Sequence, residues 1–466
     1  MKAARETGFA YQAVYRYLMQ LMVDSSDSGH TRLPSLRQLA NRLNVSISTI
    51  QYAYALLEKE GRIYSVAKSG YYARPASGLV LTGNGSDLLE TVYVNARHPG
   101  MQVLSAEDPV SVQSLDRPLL LLERELLRQY PRQPQLLDQP CGEAELRTAL
   151  AARYTTSPTH YWHAEDVYVG ADLRGVLEIL IAVLELKHAT ILVESPCDWV
   201  ILRLLQAAEV RVIELPLQAC GGLEPQRLAA LLSTENVRLM LLSSGLSMPR
   251  GTQAPADNRH AIARLLDEHG TWVLENDCYS ELADVADGTR LRDLLNPGRL
   301  LIFSSFEKFI GIEAPYGYVL SRQWKGELQR YFLLRSFRLS PIRQKAIARL
   351  YGNGRIDQHL QVLRRLLKER RTPMIHLLRE RLGDALHVVE PQGGATVWVQ
   401  ALRPVDMRDV FQRMLKHQVV IAPGELFSLQ GLHNRHLRLN LLGHGEHDLA
   451  GAIGLLGDAL RLAPVD

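Results

Sequence analysis

The chain has 466 residues, more than one ordinary domain holds, so two or three domains are expected. Its 46% apolar and 22% charged content is that of a globular protein, and no uninterrupted apolar run approaches the roughly 18 residues that span a membrane. Net charge is only +3, yet residues 1–75 carry ten Lys/Arg against five Asp/Glu, so a basic head precedes a near-neutral body and points to a polyanion partner.

In chain order, MKAARETGFAYQ has no apolar signal core, which leaves the cytoplasm as the expected compartment. Val14, Leu18, Leu21 and Met22 fall at helical spacing and predict a helix over 9–23. DSSDSGHTRLP is a polar, glycine-containing loop. Ser35 is placed to cap a second helix, whose Leu36, Leu39, Ala40 and Leu43 form one apolar stripe. After the turn NVS, Ser46 caps a third helix with Ile47, Ile50, Ala53, Tyr54 and Leu57 inward, ending at Gly61. RIYSVAK and GYYARP follow as short strands joined through Ser69 and Gly70.

Helix, turn, helix, hairpin is the order of a winged helix-turn-helix, in which the third helix enters the DNA major groove N-terminus first. Its outward residues near that end are Ser46, Ser48, Thr49 and Gln51. Hydroxyls bond phosphates, and an amide pairs with an adenine edge. Arg37 and Lys68 are placed to meet the DNA backbone, and Gly70 at the wing turn completes the set.

Residues 76–112, with ASGLVLTGNGSD and NARHPG, read as a surface linker between a DNA-binding domain (1–75) and a body (113–466). In the body, strand-like runs (DVYV, TILV, VRVIEL, VRLMLL, TWVL, LLIF, GYVL) alternate with helical runs such as RGVLEILIAVLELK and NRHAIARLLDEHG. That alternation predicts an α/β domain with a largely parallel sheet. The last hundred residues begin with long charged helices and end in a mixed αβ portion, a smaller subdomain. Cys141, Cys197, Cys220 and Cys278 are scattered without a CxxC pair, so neither a metal site nor a disulfide framework is expected.

The string LPSLRQLANRLNVSISTIQYAYALLEKEGRIY…KSGYYARP resembles the GntR-type winged helix, which implies a dimer on paired half-sites. DQPCGEAELRTALAARY, ILVESPCDWV, WVLENDCYSEL, SSFEK…GYV, PQGGATVWV, APGELFS and HLRLNLL resemble, in order, the fold-type I aminotransferases. A GntR-type head on such a body is the architecture of MocR-type transcriptional regulators. The expected fold is therefore α/β: a winged helix-turn-helix plus a fold-type I aminotransferase-like domain with a large sheet and a smaller C-terminal subdomain.

The resemblance implies that Lys308, after strand LLIFS, forms a Schiff base with pyridoxal 5′-phosphate, a role suited to an amine whose pKa neighbours lower. It implies Ser305 on the phosphate, Trp199 stacked on the ring, Tyr279 on the phenolic oxygen and Arg438 holding a substrate carboxylate in a fork. Four positions depart from the pattern. Asn276 stands where an Asp faces the ring nitrogen, and an amide bonds that nitrogen without holding it protonated. Met248 replaces an Asn, Pro315 a phosphate-binding Arg, and Asp172 sits in the phosphate loop, where it repels phosphate unless Arg174 or Arg250 compensates. Asp277, next to Asn276, is expected to point the other way along the strand. Cys197 and Cys278 read as buried structural thiols.

The reading is a DNA-binding regulator whose homodimeric body senses pyridoxal 5′-phosphate, an amino-acid-like carboxylate, or both as small-molecule effector, with the question of enzyme activity left open. Ligand binding is expected to bias the spacing of the two heads. A working aminotransferase and a cofactor-free dimerisation scaffold are the rival readings.

Overall fold

The computed structural model describes residues 7–24, 32–60, 62–66, 69–73, 87–106, 109–129, 139–243, 245–285, 289–335, 339–440 and 446–463. They divide into two compact units, Met1–Val103 with Leu415–Val420, and Leu104–Met414 with Ile421–Asp466. No helix among the described residues is long and apolar enough to cross a membrane.

In the first unit, helices α1 (Thr7–Asp24), α2 (Leu36–Leu43) and α3 (Ile47–Lys59) precede a hairpin of β1 (Ile63–Val66) and β2 (Gly70–Ala73). Ser35 starts α2 through a capping box: its hydroxyl accepts from the Gln38 amide while the Gln38 side chain accepts from the Ser35 amide. Asn44 ends α2 in the left-handed region at φ 52°. Val14, Leu18, Leu39, Ile50, Ala53, Tyr54 and Leu57 close a single core. Tyr54 donates its hydroxyl to the Pro34 carbonyl at 2.7 Å, which satisfies the one polar side-chain atom it carries into that core. Ile47, expected inward, is 48% exposed: it is the first residue of α3, one turn before Ile50 at the end of the stripe. The third helix ends at Lys59, and Gly61, expected as its stop, lies outside the described residues.

The stretch read as a linker is described from Asp87 onward, and there it has structure. Leu88–Ala96 form α4, capped by Asp87, with Leu88, Val92 and Asn95 buried. Gln102–Val103 pair in parallel with Val419–Val420, a partner some three hundred residues away that no local pattern announces.

In the second unit, α5 (Asp116–Gln129) and α6 (Ala144–Tyr154) lead into a seven-stranded sheet. Its strands are β3 (Val167–Gly170), β4 (Thr190–Ser195), β5 (Arg211–Pro216), β6 (Val237–Leu242), β7 (Trp272–Asn276), β8 (Leu300–Ser305) and β9 (Gly317–Ser321), in spatial order 3-9-8-7-6-4-5. Each corresponds to one expected run. The sheet is parallel except at β9, which is antiparallel to both neighbours. Helices α7 (Leu173–Val183), α8 (Trp199–Ala207), α9 (Pro225–Thr234) and α10 (Ala256–Glu268) provide the crossovers. After α11 (Lys325–Arg335) and α12 (Pro341–Gly352), α13 (Arg355–Leu382) runs 28 residues with Pro373 inside it. A smaller antiparallel sheet follows, from β10 (Leu386–Val388), β11 (Thr396–Ala401), β12 (Ala422–Pro423) and β13 (His436–Asn440), in order 10-11-13-12. Helices α14 (Met407–Lys416) and α15 (Glu446–Arg461) complete the chain.

A buried charge cluster fixes the exit of β7. Asp277 accepts from the Tyr154 hydroxyl at 2.5 Å and pairs with Arg292 at 2.9 Å, while Arg292 also pairs with Glu275 at 3.0 Å. Tyr154 bonds Tyr318 at 3.0 Å, and the Arg292 guanidinium lies 4.8 Å from the centre of the Tyr154 ring. Burial alone would raise the Asp277 carboxyl. The charges of Arg292 and Arg290, with hydrogen bonds from Ser280 and Tyr154, outweigh it and hold the group below its usual range.

A carboxyl depressed in the folded state adds stability above its unfolded pKa, near 4, and that contribution is lost as pH falls through the folded value. Asp277→Asn should cost about 3 kcal/mol at neutral pH, because it removes one of the two carboxylates that pair with the buried Arg292 guanidinium. In urea unfolding of the full-length protein, the variant should also lose part of the wild-type decline in stability below about pH 5.

Candidate functional site

The residues expected to face DNA lie on α2, on α3 and in the hairpin, with Ser46, Ser48 and Thr49 clustered at the start of α3. The Ser46 hydroxyl accepts from the Thr49 amide at 3.2 Å and lies 2.9 Å from the Ser48 hydroxyl and 2.7 Å from that of Thr49. Ser46 therefore serves first as the cap of α3. Ser48, Thr49 and Gln51 differ in exposure: Ser48 and Gln51 are exposed beside the cap and Thr49 is half-buried. Arg37 is exposed on α2. Gly70 holds φ +119° in the wing turn, where a side chain is strained. Lys68 lies outside the described residues.

Two residues of this surface were missed by pattern. Tyr52 is 58% exposed on α3, its ring edge-on to Tyr11 at 5.0 Å. The spacing that sends Ala53 and Tyr54 inward sends Tyr52 outward, so its signal was present. Arg32 bridges to Tyr72, and its guanidinium nitrogens lie 3.6–3.7 Å from where a Gly70 Cβ would stand. That proximity needs the folded hairpin.

In the body, one group of candidates lies at the C-terminal ends of β7 and β8. Asn276 and Phe303 are register partners, and the Asp277 amide donates to the Phe303 carbonyl. Asn276 Oδ1 accepts from the Cys278 amide at 3.2 Å. The Lys308 ammonium stands 5.8 Å from the centre of the Tyr279 ring. Ser305 is buried and its hydroxyl accepts from the Glu307 amide at 3.3 Å. Asp277 does point away from Asn276, into the Arg292 cluster.

A second group surrounds Arg438 on β13. Trp199, the first residue of α8, stacks on Phe427 at 5.2 Å and 21°. The fully buried Arg438 guanidinium lies 4.4 Å from the Trp199 ring and 4.9 Å from Phe427, and donates to the Ser105 carbonyl at 2.6 Å. Trp199, the residue expected over a cofactor ring, flanks the arginine together with Phe427, which the sequence reading missed.

The segment carrying Phe427 is pinned to the large sheet. The Cys197 amide donates to the Phe427 carbonyl at 3.0 Å. Buried Glu214 on β5 accepts from the amides of Leu429 and Gln430 at 2.5 and 3.1 Å, and from the Ser195 hydroxyl at 2.6 Å. With its proton committed to Glu214, Ser195 accepts from His433 Nε2 at 3.0 Å. Burial, then His436 and Arg250, push the His433 imidazole down to about 3, so it is neutral at physiological pH. Cys197 and Cys278 are buried and in no disulfide, and burial raises the Cys197 thiol.

The replaced positions have different fates. Met248 packs against Gly394, with Sδ 3.2 Å from where a Cβ would lie. Pro315 offers neither charge nor N–H. Asp172 caps α7, its carboxylate accepting from the Gly175 amide at 2.7 Å. Arg250, expected as one compensating cation, donates instead to the carbonyls of Leu217 and Ala219 at 3.0 and 3.1 Å. Arg174 is exposed in the first turn of α7. These residues fit the reactive half of pyridoxal 5′-phosphate, with an amine near a phenol ring, but not its phosphate half, where the helix end already holds a carboxylate.

Comparisons with known proteins bear on the family and the fold. Residues 135–454 match the family model described as aminotransferase class I and II, and residues 10–72 match that of bacterial regulatory proteins of the gntR family. An uncharacterised HTH-type transcriptional regulator of Escherichia coli K12, YjiR, is 25% identical over 96% of this chain and 99% of its own. The HTH-type transcriptional regulator NorG of Staphylococcus aureus is 20% identical over 91% and 98%. Among solved structures, the α-aminoadipate aminotransferase LysN of Thermus thermophilus, complexed with N-(5′-phosphopyridoxyl)-L-leucine, superposes with a TM-score of 0.71 at 19% identity over 81% of this chain and 95% of its own. The Pyrococcus horikoshii kynurenine aminotransferase, in complex with PMP, gives 0.72 at 20% identity over 83% and 96%. The chain belongs to the class I and II aminotransferase family through its body and joins to it a gntR-family winged helix-turn-helix, which makes it a transcriptional regulator of the MocR type.

Proposed function

We propose that this regulator binds double-stranded DNA through α3 and the wing, forms a homodimer, and senses with its body pyridoxal 5′-phosphate, an amino-acid-like carboxylate, or both. A cytoplasmic location follows from that role. The observation that carries sensing over catalysis is the commitment of Asp277 to Arg292 and Tyr154. Lys308 and Tyr279 keep the means to hold a carbonyl compound, while Asn276 supplies no charge to keep a ring nitrogen protonated. Proton-transfer chemistry is thereby weakened and binding is retained.

Arg438 supports the carboxylate arm. Flanked by two aromatic faces, its guanidinium can turn its fork of donors to a carboxylate, which would displace the Ser105 contact. Exposed Leu120, Leu121 and Leu127 on α5 and exposed Ile312 favour a second copy of the chain as the dimer partner.

Two measurements test this reading. DNA affinity should fall steeply with salt. Arg37→Ala should weaken binding across sequences and reduce the salt slope by about one, whereas Gln51→Ala should relax preference at a single base pair by about 1–3 kcal/mol. An affinity indifferent to salt contradicts the DNA assignment. With excess pyridoxal 5′-phosphate, borohydride should fix the compound on Lys308, and Lys308→Ala should abolish the label. Arg438→Gln should remove any response to amino-acid carboxylates while leaving that label in place. Rapid conversion of an amino acid to its keto acid would instead favour a working enzyme.

A further inference from the structure

Two residues that bear on a phosphate group, Asp172 and Arg250, are engaged elsewhere. Helix α7 begins at Asp172, whose carboxylate accepts from the Gly175 amide at 2.7 Å. This end of the helix lies close to the lysine-bearing strand. A Cβ on Gly317 would come within 2.7 Å of the Asp172 carbonyl oxygen, and Gly317 is the register partner of Ser305, three residues before Lys308. Helix amides and the positive end of the helix dipole attract anions. Here they already face one, and an incoming phosphate dianion meets a carboxylate in the same place.

Three further engagements point the same way. The Arg250 guanidinium is committed to the Leu217 and Ala219 carbonyls. Pro315 brings no donor. Glu275 and Asp277, the carboxylates on either side of Asn276 in sequence, are both held by Arg292. The amine of Lys308 and the phenol of Tyr279 remain together. The part of the pocket that reacts with an aldehyde is thus kept, and the part that would prefer a phosphorylated aldehyde is turned against it.

We propose that Asp172 is a specificity-determining residue that sets the Lys308 pocket against phosphate-bearing ligands and in favour of their unphosphorylated counterparts. The inference rests on the sensor reading of Lys308 given above. It differs from that reading in naming which chemical form is admitted.

The test uses the full-length protein with pyridoxal and pyridoxal 5′-phosphate as paired probes. Each aldehyde condenses with the Lys308 amine: a carbon–nitrogen double bond forms and the aldehyde oxygen leaves as water. Borohydride then delivers hydride to the imine carbon, the nitrogen takes a proton from water, and a stable secondary amine marks the residue for peptide mapping. Affinities come from titration of the imine absorbance. The wild type should bind the phosphate ester no more tightly than pyridoxal. Asp172→Gly, which vacates the helix end, and Asp172→Asn, which keeps a capping side chain without charge, should each tighten the phosphate ester roughly ten-fold and move pyridoxal by less than about two-fold. A wild type that already prefers the phosphate ester ten-fold, with that preference unmoved by either substitution, overturns this inference while leaving the sensor reading intact. Absence of pyridoxal label on Lys308 in all three proteins overturns both.

Discussion

The ion pair of Asp277 with Arg292 is the constraint on which the body's chemistry depends. Removing two charges from water is costly, and further contacts offset that cost: Arg292 pairs with both Glu275 and Asp277, Asp277 bonds Tyr154, and Tyr154 bonds Tyr318. Tyr154 comes from α6, Glu275 from β7 and Tyr318 from β9, so the cluster ties a flanking helix to two strands of the large sheet. At the end of β7 the neighbouring Asn276 amide accepts from the Cys278 amide instead. The contact that stabilises the sheet also commits the carboxylate next to Asn276.

The head is held together differently. Its small core is closed by residues of α1, α2, α3 and the hairpin, with Tyr54 spanning from α3 to the Pro34 carbonyl. Local hydrogen bonds set the helix ends: a capping box at Ser35 and a hydroxyl cluster at Ser46. Because these caps fix where α2 and α3 begin, they also fix which side chains of α3 face outward. Folding and the presentation of Ser48, Gln51 and Tyr52 therefore follow from the same few contacts.

Much of this was legible in the chain. The seven strands of the large sheet were visible as continuous apolar runs, because strands covered on both faces leave no polar alternation. Ser35 and Ser46 declared themselves as caps by type and place. The reversed direction of β9 was not visible, since direction leaves no mark on residue type. The fate of Arg250 was hidden because its acceptors are backbone carbonyls, which every residue supplies. Phe427 as the companion of Trp199 and Arg438, and the Glu214–Ser195–His433 connection, required elements far apart in sequence to meet. The role of Asp172 lay between these cases: its charge was conspicuous in the sequence, but that it caps its own helix is visible only in the fold.

The central claim is that the body reports a small molecule to the DNA-binding head. The most direct measurement is the affinity of the full-length protein for a duplex carrying paired half-sites, at fixed salt, with and without a saturating amino acid plus pyridoxal compound. Coupling between two sites in one protein commonly amounts to about 5–150-fold, and a change within that range is the predicted result. Identical affinities under both conditions, with the ligand shown to be bound, would contradict the account.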